Sequence, residues 1–209
     1  MKFLSIKLLV VSLVMLAASS AFAVSYIANV DTSGLNGTSG YLYLQYTPFD
    51  TGTVKSTATV SGFTTDGLLG AQSANVVNGS AVTGTLPGSV VFANTNGIND
   101  YNQAITFGND LSFDLLLGLI PGAPAGGSNT FSLGFFSDEG GFNPLFTSDG
   151  TLFSIDLNNN GNSAFEVFSN QASVAPVPEP GTIVLLSAGL FGLCIYGKRR
   201  IKVTNAQPI

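Results

Sequence analysis

The stretch Leu111-Ser112-Phe113-Asp114-Leu115-Leu116-Leu117-Gly118-Leu119 sets an apolar residue at every second position. In an extended chain Leu111, Phe113, Leu115, Leu117 and Leu119 share one side, with Ser112, Asp114 and Gly118 on the other. A period of two rules against a helix and asks for a sheet with one face in a core. Phe153, Ile155 and Leu157 repeat it around Ser154 and Asp156. No window sustains a helical period. Further strands are predicted at residues 25–30, 40–46, 53–63, 76–85, 89–93, 104–107, 130–136 and 163–168. Between strands stand Asn36-Gly37, Asp66-Gly67, Asn78-Gly79, Asn96-Gly97, Asp149-Gly150 and Asn160-Gly161, residues that tolerate the positive φ of tight turns. The expected fold is all-β: an antiparallel sandwich or jelly-roll-like ectodomain, plus one C-terminal transmembrane helix. Residues 123–128 read as a loop, and 171–178 as a linker.

Both ends carry export signals. Lys2 and Lys7 lead into an apolar run at 8–18, and Ala21 and Ala23 flank Phe22 at the two positions a signal peptidase reads. Residues 1–23 are therefore expected to be a signal peptide. At the other end, residues 181–197 hold no charge. As a helix they would reach about 25 Å, near the lower limit for a hydrocarbon core. Lys198, Arg199, Arg200 and Lys202 follow at once; such a cluster stays cytoplasmic, which puts the preceding domain outside. The expected organisation is a signal peptide (1–23), an ectodomain (24–175) and a tail (176–209) with a membrane helix at 182–197 and a basic cluster at 198–202.

Six of the seven cations lie in those end segments, so the ectodomain sets Lys55 against eleven carboxylates, a net charge near −10. Nucleic acid and anionic membrane surfaces are poor partners for it, because phosphate binding needs Lys and Arg. The chain has no His, and its one Cys, Cys194, lies in the apolar tail. No disulfide can hold the ectodomain, and His metal sites, thiolate nucleophiles and Ser-His-Asp triads are excluded from it. Carboxylate chemistry survives. Asp110 and Asp114 would lie about 13 Å apart on one strand face, beyond the ~5–9.5 Å of a glycosidase pair, and Asp138-Glu139 sits in a turn-like stretch. No enzymatic activity is expected.

One stretch has metal-ligand spacing. Asp156-x-Asn158-x-Asn160-Gly161 follows the oxygen pattern of an EF-hand-like loop, and Asp156, Asn158 and Asn160 would be the calcium ligands. Glu166 falls one position short of the place of the closing acid, which Val167 occupies. The competing reading is a hairpin: strand, Asn/Gly turn, strand.

The tail resembles the PEP-CTERM sorting domain of bacterial exosortase substrates. Pro178, Glu179 and Pro180 supply the motif, 183–196 the apolar segment, and Lys198, Arg199 and Arg200 the basic end. That resemblance implies transient anchoring in the inner membrane and removal of the tail by an exosortase, a membrane-embedded cysteine transpeptidase. The product is released or attached at the cell surface, commonly in a Gram-negative bacterium that makes exopolysaccharide. The opening of the ectodomain, 30–35 and 40–46, also resembles a domain type that recurs on such proteins and implies no activity.

The expected role is a non-catalytic structural or adhesive protein of the cell surface or extracellular matrix, associated with exopolysaccharide. The alternative is a glycan-binding module, with or without calcium, using Tyr41, Tyr43 and Tyr46 as a stacking platform. A carboxylate-based glycoside hydrolase is the remote one. Tyr41 and Tyr43 share one face and Leu42, Leu44 and Tyr46 the other, so one of those faces is expected to be core.

Overall fold

The computed structural model describes residues 23–48, 56–73, 81–94, 99–120, 127–158, 161–177 and 189. The alternating stretch becomes β8 (Asp110–Leu119), with Leu111, Phe113, Leu115 and Leu117 buried and Asp110, Asp114 and Leu116 exposed. The other strands are β1 (Ala23–Asp31), β2 (Ser39–Pro48), β3 (Ser56–Thr65), β4 (Leu68–Gln72), β5 (Val82–Gly84), β6 (Val90–Asn94), β7 (Asn99–Thr106), β9 (Ser128–Phe136), β10 (Thr151–Asn158), β11 (Ser163–Val167) and β12 (Ala172–Pro176). They form two six-stranded sheets, β12-β1-β8-β3-β6-β5 and β11-β10-β9-β2-β7-β4, with every pairing antiparallel. Each sheet turns one apolar face inward, and the two faces meet in a shared core.

Pairings of β1 with β8, β2 with β7, and β3 with β6 are those of one long hairpin rolled into a barrel-like double layer. This is the jelly-roll pattern. β9, β10 and β11 extend the second sheet, and β12 extends the first.

Aromatic rings knit the layers together. Phe131 of β9 meets Phe92 of β6 at 6.1 Å and Phe113 of β8 at 6.4 Å between centroids, so a ring of the second sheet packs on two strands of the first. A buried hydroxyl pair, Tyr46 Oη and Ser56 Oγ at 2.6 Å, pins β2 to β3 across the sandwich. β3 is interrupted by a bulge between Ser61 and Thr64. Gly62 sits in that bulge at φ +61°, and a Cβ there would lie 2.9 Å from the Asp114 carboxylate. Glycine is the residue that fits.

Two expectations need correcting. Of the expected linker at 171–178, the described residues 171–177 are part of the fold: Ala172–Pro176 is β12, paired with Val30–Tyr26 of β1. β7 begins at Asn99 rather than at 104, because Asn99, Asn102 and Gln103 are buried polar residues within the strand. β4 was not expected at all. The loop at 123–128 lies mostly outside the described residues, although Ser128 already belongs to β9. Among the described residues no helix is long and apolar enough to cross a membrane. The expected membrane helix, apart from Gly189, and Ala21, Pro178, Glu179, Pro180, Lys198, Arg199 and Arg200 lie outside the described residues.

Candidate functional site

The outer face of the β2 sheet is the chemically richest surface. β2 sends Leu42, Leu44 and Tyr46 into the core, so Tyr41, Tyr43 and Gln45 point outward. Register places Asn102 of β7 and Gly134 of β9 on either side of Tyr43, and Asp100 and Ser132 on either side of Gln45. Of the three tyrosines read as a platform, Tyr46 is thus core, while Tyr41 and Tyr43 are half-buried on the far face.

Tyr43 is not a free stacking surface. Its ring packs edge-on against Phe136 at 4.8 Å. The segment 137–150 folds back over it: the Tyr43 hydroxyl donates to the Glu139 carbonyl, and Asn102 Nδ2 donates to the same oxygen at 2.8 Å. The Ser73 hydroxyl donates to the Glu139 carboxylate. Gly141 passes the ring at φ +71°, where a Cβ would come within 3.3 Å of it. Burial, reinforced by the charge of Asp138, pushes the Tyr43 phenol up to about 12. Asp138 accepts from the Phe142 and Asn143 N–H groups at 3.1 and 2.6 Å. Desolvation works against it, yet these bonds hold its carboxyl below the usual value. Asp100 goes the other way: burial raises it, in spite of a 2.7 Å hydrogen bond from Gln45 Nε2.

Beside this capped region lies an open cleft of about 360 Å³. Tyr41, Leu68, Gly70, Ala104, Thr106 and Ser137 line it. Leu68 is 74% exposed at the rim. Gly70 and Ala104 keep the cleft shallow, since a Cβ on Gly70 would fall 2.9 Å from that of Ala104. The cleft brings one tyrosine together with Leu68, two small residues and the hydroxyl-bearing Thr106 and Ser137.

The remaining carboxylates organise loops. Asp66 accepts from Asn109 N at 2.6 Å, Asn109 Nδ2 at 2.7 Å and Asp110 N at 3.1 Å, tying the β3–β4 turn to the β7–β8 turn. The Asp110 and Asn109 bonds lower its pKa. Asp31 accepts from Ser33 N at 2.9 Å, and its contacts with Ser33 lower it as well. Asp149 takes the Thr151 N–H at 3.1 Å. Asp110 and Asp114 share the outward face of β8 four residues apart, as the alternation predicts.

At the sequence-predicted calcium stretch, β10 and β11 form a hairpin. Asn158 N donates to Asn162 O at 2.8 Å, and Gly161 N, at φ +82°, donates to Asn158 O at 3.0 Å. Asp156 accepts from Thr130 Oγ1 of β9 at 2.5 Å. Glu166 stands opposite Ser154, whereas Asp156 stands opposite Ala164. Asn160 is outside the described residues. Among the described residues no three His, Cys, Asp or Glu side chains are grouped to hold a metal.

The first and last described strands are neighbours. Ala23 opens β1, Pro176 closes its neighbour β12, and Val177 N donates to Ser25 O at 2.8 Å. Sequence reasoning missed the Asp100–Asn102 part of the site and the Leu68 rim. The period-two spacing of Tyr101, Ile105 and Phe107 was the available signal for β7.

No curated protein and no solved structure matches this chain. Among known families, residues 176–200 match the PEP-CTERM protein-sorting motif. The chain carries a PEP-CTERM protein-sorting motif on an all-β ectodomain, and that motif marks it as an exported surface protein with an exosortase as its processing partner.

Proposed function

We propose that the ectodomain is a non-catalytic structural or adhesive unit of the cell surface or extracellular matrix, associated with exopolysaccharide. One observation carries this reading. Asp31, Asp66, Asp138 and Asp149 spend their oxygens on backbone N–H groups of turns, which stiffens the loops that join the strands. A surface of one cation and eleven carboxylates meets anionic polysaccharide only through bridging divalent ions. The Gram-negative setting, the signal peptidase cut after Ala23 and a transient inner-membrane anchor belong to the same reading.

A second reading is favoured by the Tyr41 cleft: a glycan-binding module. The mature protein, exported by the producing cell, is applied to a polysaccharide array with and without calcium. Saturable binding that falls on Tyr41→Ala and persists in Tyr43→Ala establishes the module. A blank array, with the protein retained in the matrix fraction, supports the structural role. Release of reducing sugar by the purified protein would refute both.

A further inference from the structure

The sorting signal and the sheet share residues. The motif match starts at Pro176, the last residue of β12, and the Val177 N–H is still bonded to Ser25 O at 2.8 Å. Pro178-Glu179-Pro180 follows without a spacer. An enzyme that cuts a chain binds the residues around the cut in extended form and uses their main-chain groups. On β12 and just after it, Ser173, Ala175 and Val177 already turn those groups to β1. The same groups cannot serve the sheet and the enzyme at once.

We propose that β12 is a detachable edge strand: exosortase draws residues 172–177 out of the sheet to cut the tail, and the strand closes on β1 again afterwards. β12 is built for this. It pairs on one side only, with β1. Val174 is its single buried side chain, with Ser173, Ala175 and Pro176 exposed. Pro176 has no N–H to give. Its removal leaves β1 paired with β8 along all nine positions from Ala23 to Asp31.

The hinge is also visible. Ahead of β12, Ala172 N donates to Ser169 O at 3.1 Å, Gln171 N to Ser169 Oγ at 3.3 Å, and Asp31 N to Gln171 O at 2.8 Å. Ser169 is 5% exposed. Peeling therefore starts at Val177 and stops at this turn. The six freed residues span about 20 Å when extended, which supplies the reach that the sequence lacks. Cutting needs no redox partner: one peptide bond becomes an acyl-enzyme link, the tail leaves as a free amine, and water or an acceptor nucleophile takes the acyl group.

The test locks the strand. Ile27 and Ala175 are Cα partners in β1 and β12, and both point outward. Paired positions of this kind lie about 5.5 Å apart, within disulfide range. Ile27→Cys/Ala175→Cys, in the full chain with Cys194→Ser, is followed by pulse–chase in the producing cell. Bond formation is checked on non-reducing gels and folding by protease resistance. The staple is expected to slow tail loss by about tenfold or more against either single-Cys chain, because local opening is blocked. Six Gly/Ser residues inserted between Val177 and Pro178 are expected to restore the stapled chain. Val174→Asp, which loosens β12 without a crosslink, is expected to lose its tail at least as fast as the parent. A stapled, folded chain processed at the single-Cys rate overturns the proposal; so does a spacer that fails to rescue, or a slower Val174→Asp. A parent that keeps its tail in the same cell removes the exosortase premise itself, a result distinguishable from all of these.

Discussion

Replacing Phe131 by Ala tests whether the two sheets are held by one aromatic seam. Phe131 is fully buried, with Phe92 at 6.1 Å, Phe113 at 6.4 Å and Phe153 at 6.4 Å. Phe92 and Phe113 belong to the opposite sheet, so the cavity would open between the layers, where neither backbone can follow without breaking its own ladder. Buried Phe→Ala changes cost about 3–5 kcal/mol. That is a large share of the ~5–15 kcal/mol that holds a domain folded. For roughly 150 residues, about 2–4 °C are lost per kcal/mol, so the midpoint should fall by about 6–20 °C. The assay is thermal and urea unfolding of the mature protein, with an unchanged urea slope showing that the same surface is exposed. Phe142→Ala is the control: that ring is 84% exposed, and its loss should stay within ~0.5 kcal/mol. Equal midpoints for the two variants would refute the seam.

Asp100 is raised by burial from 3.8, so the folded form holds its proton more tightly and stability declines as pH climbs above that value. Asp100→Asn should melt higher than the parent at pH 7 and equal to it near pH 3; a lower melting point at pH 7 would contradict the assignment. Asp66 is lowered from 3.8, so its contribution is complete above that pH and disappears as pH falls below it. Asp66→Ala should therefore lower the midpoint at pH 7 and flatten the acid limb of the stability curve, which differential scanning calorimetry can follow. Burial pushes Tyr46 up to about 12, so the folded state resists ionisation and stability drains between pH 10 and 12. Tyr46→Phe should abolish about 2–3 kcal/mol of that alkaline loss while costing ~1 kcal/mol at neutral pH from the broken Ser56 bond.

The sequence is legible where side chains alternate. Leu111 to Leu117 and Phe153 to Leu157 declare their strands because every second residue enters the core. Asn36-Gly37, Asp149-Gly150 and Asn160-Gly161 declare their turns because those glycines need positive φ. β4 and β12 are silent for the opposite reason. Edge strands are held by main-chain bonds on one side, and Leu68 to Gln72 contributes no buried side chain to set a period. Asn99, Asn102 and Gln103 hid the first half of β7, since their burial depends on distant partners such as the Glu139 and Gly70 carbonyls. The cover over Tyr43 was equally out of reach: its donor and acceptor are 96 residues apart. The tail needed no fold to be read, because membranes and sorting enzymes act on linear order.

The rolled-hairpin pairing has a consequence for biogenesis. β1 is the first strand to appear, yet its partners are β8 and β12, so it stays unmatched until most of the chain has followed. Such high contact order makes folding slow and leaves bare strands exposed to aggregation. A polypeptide of this topology cannot complete its first sheet until β8 and then β12 have been made.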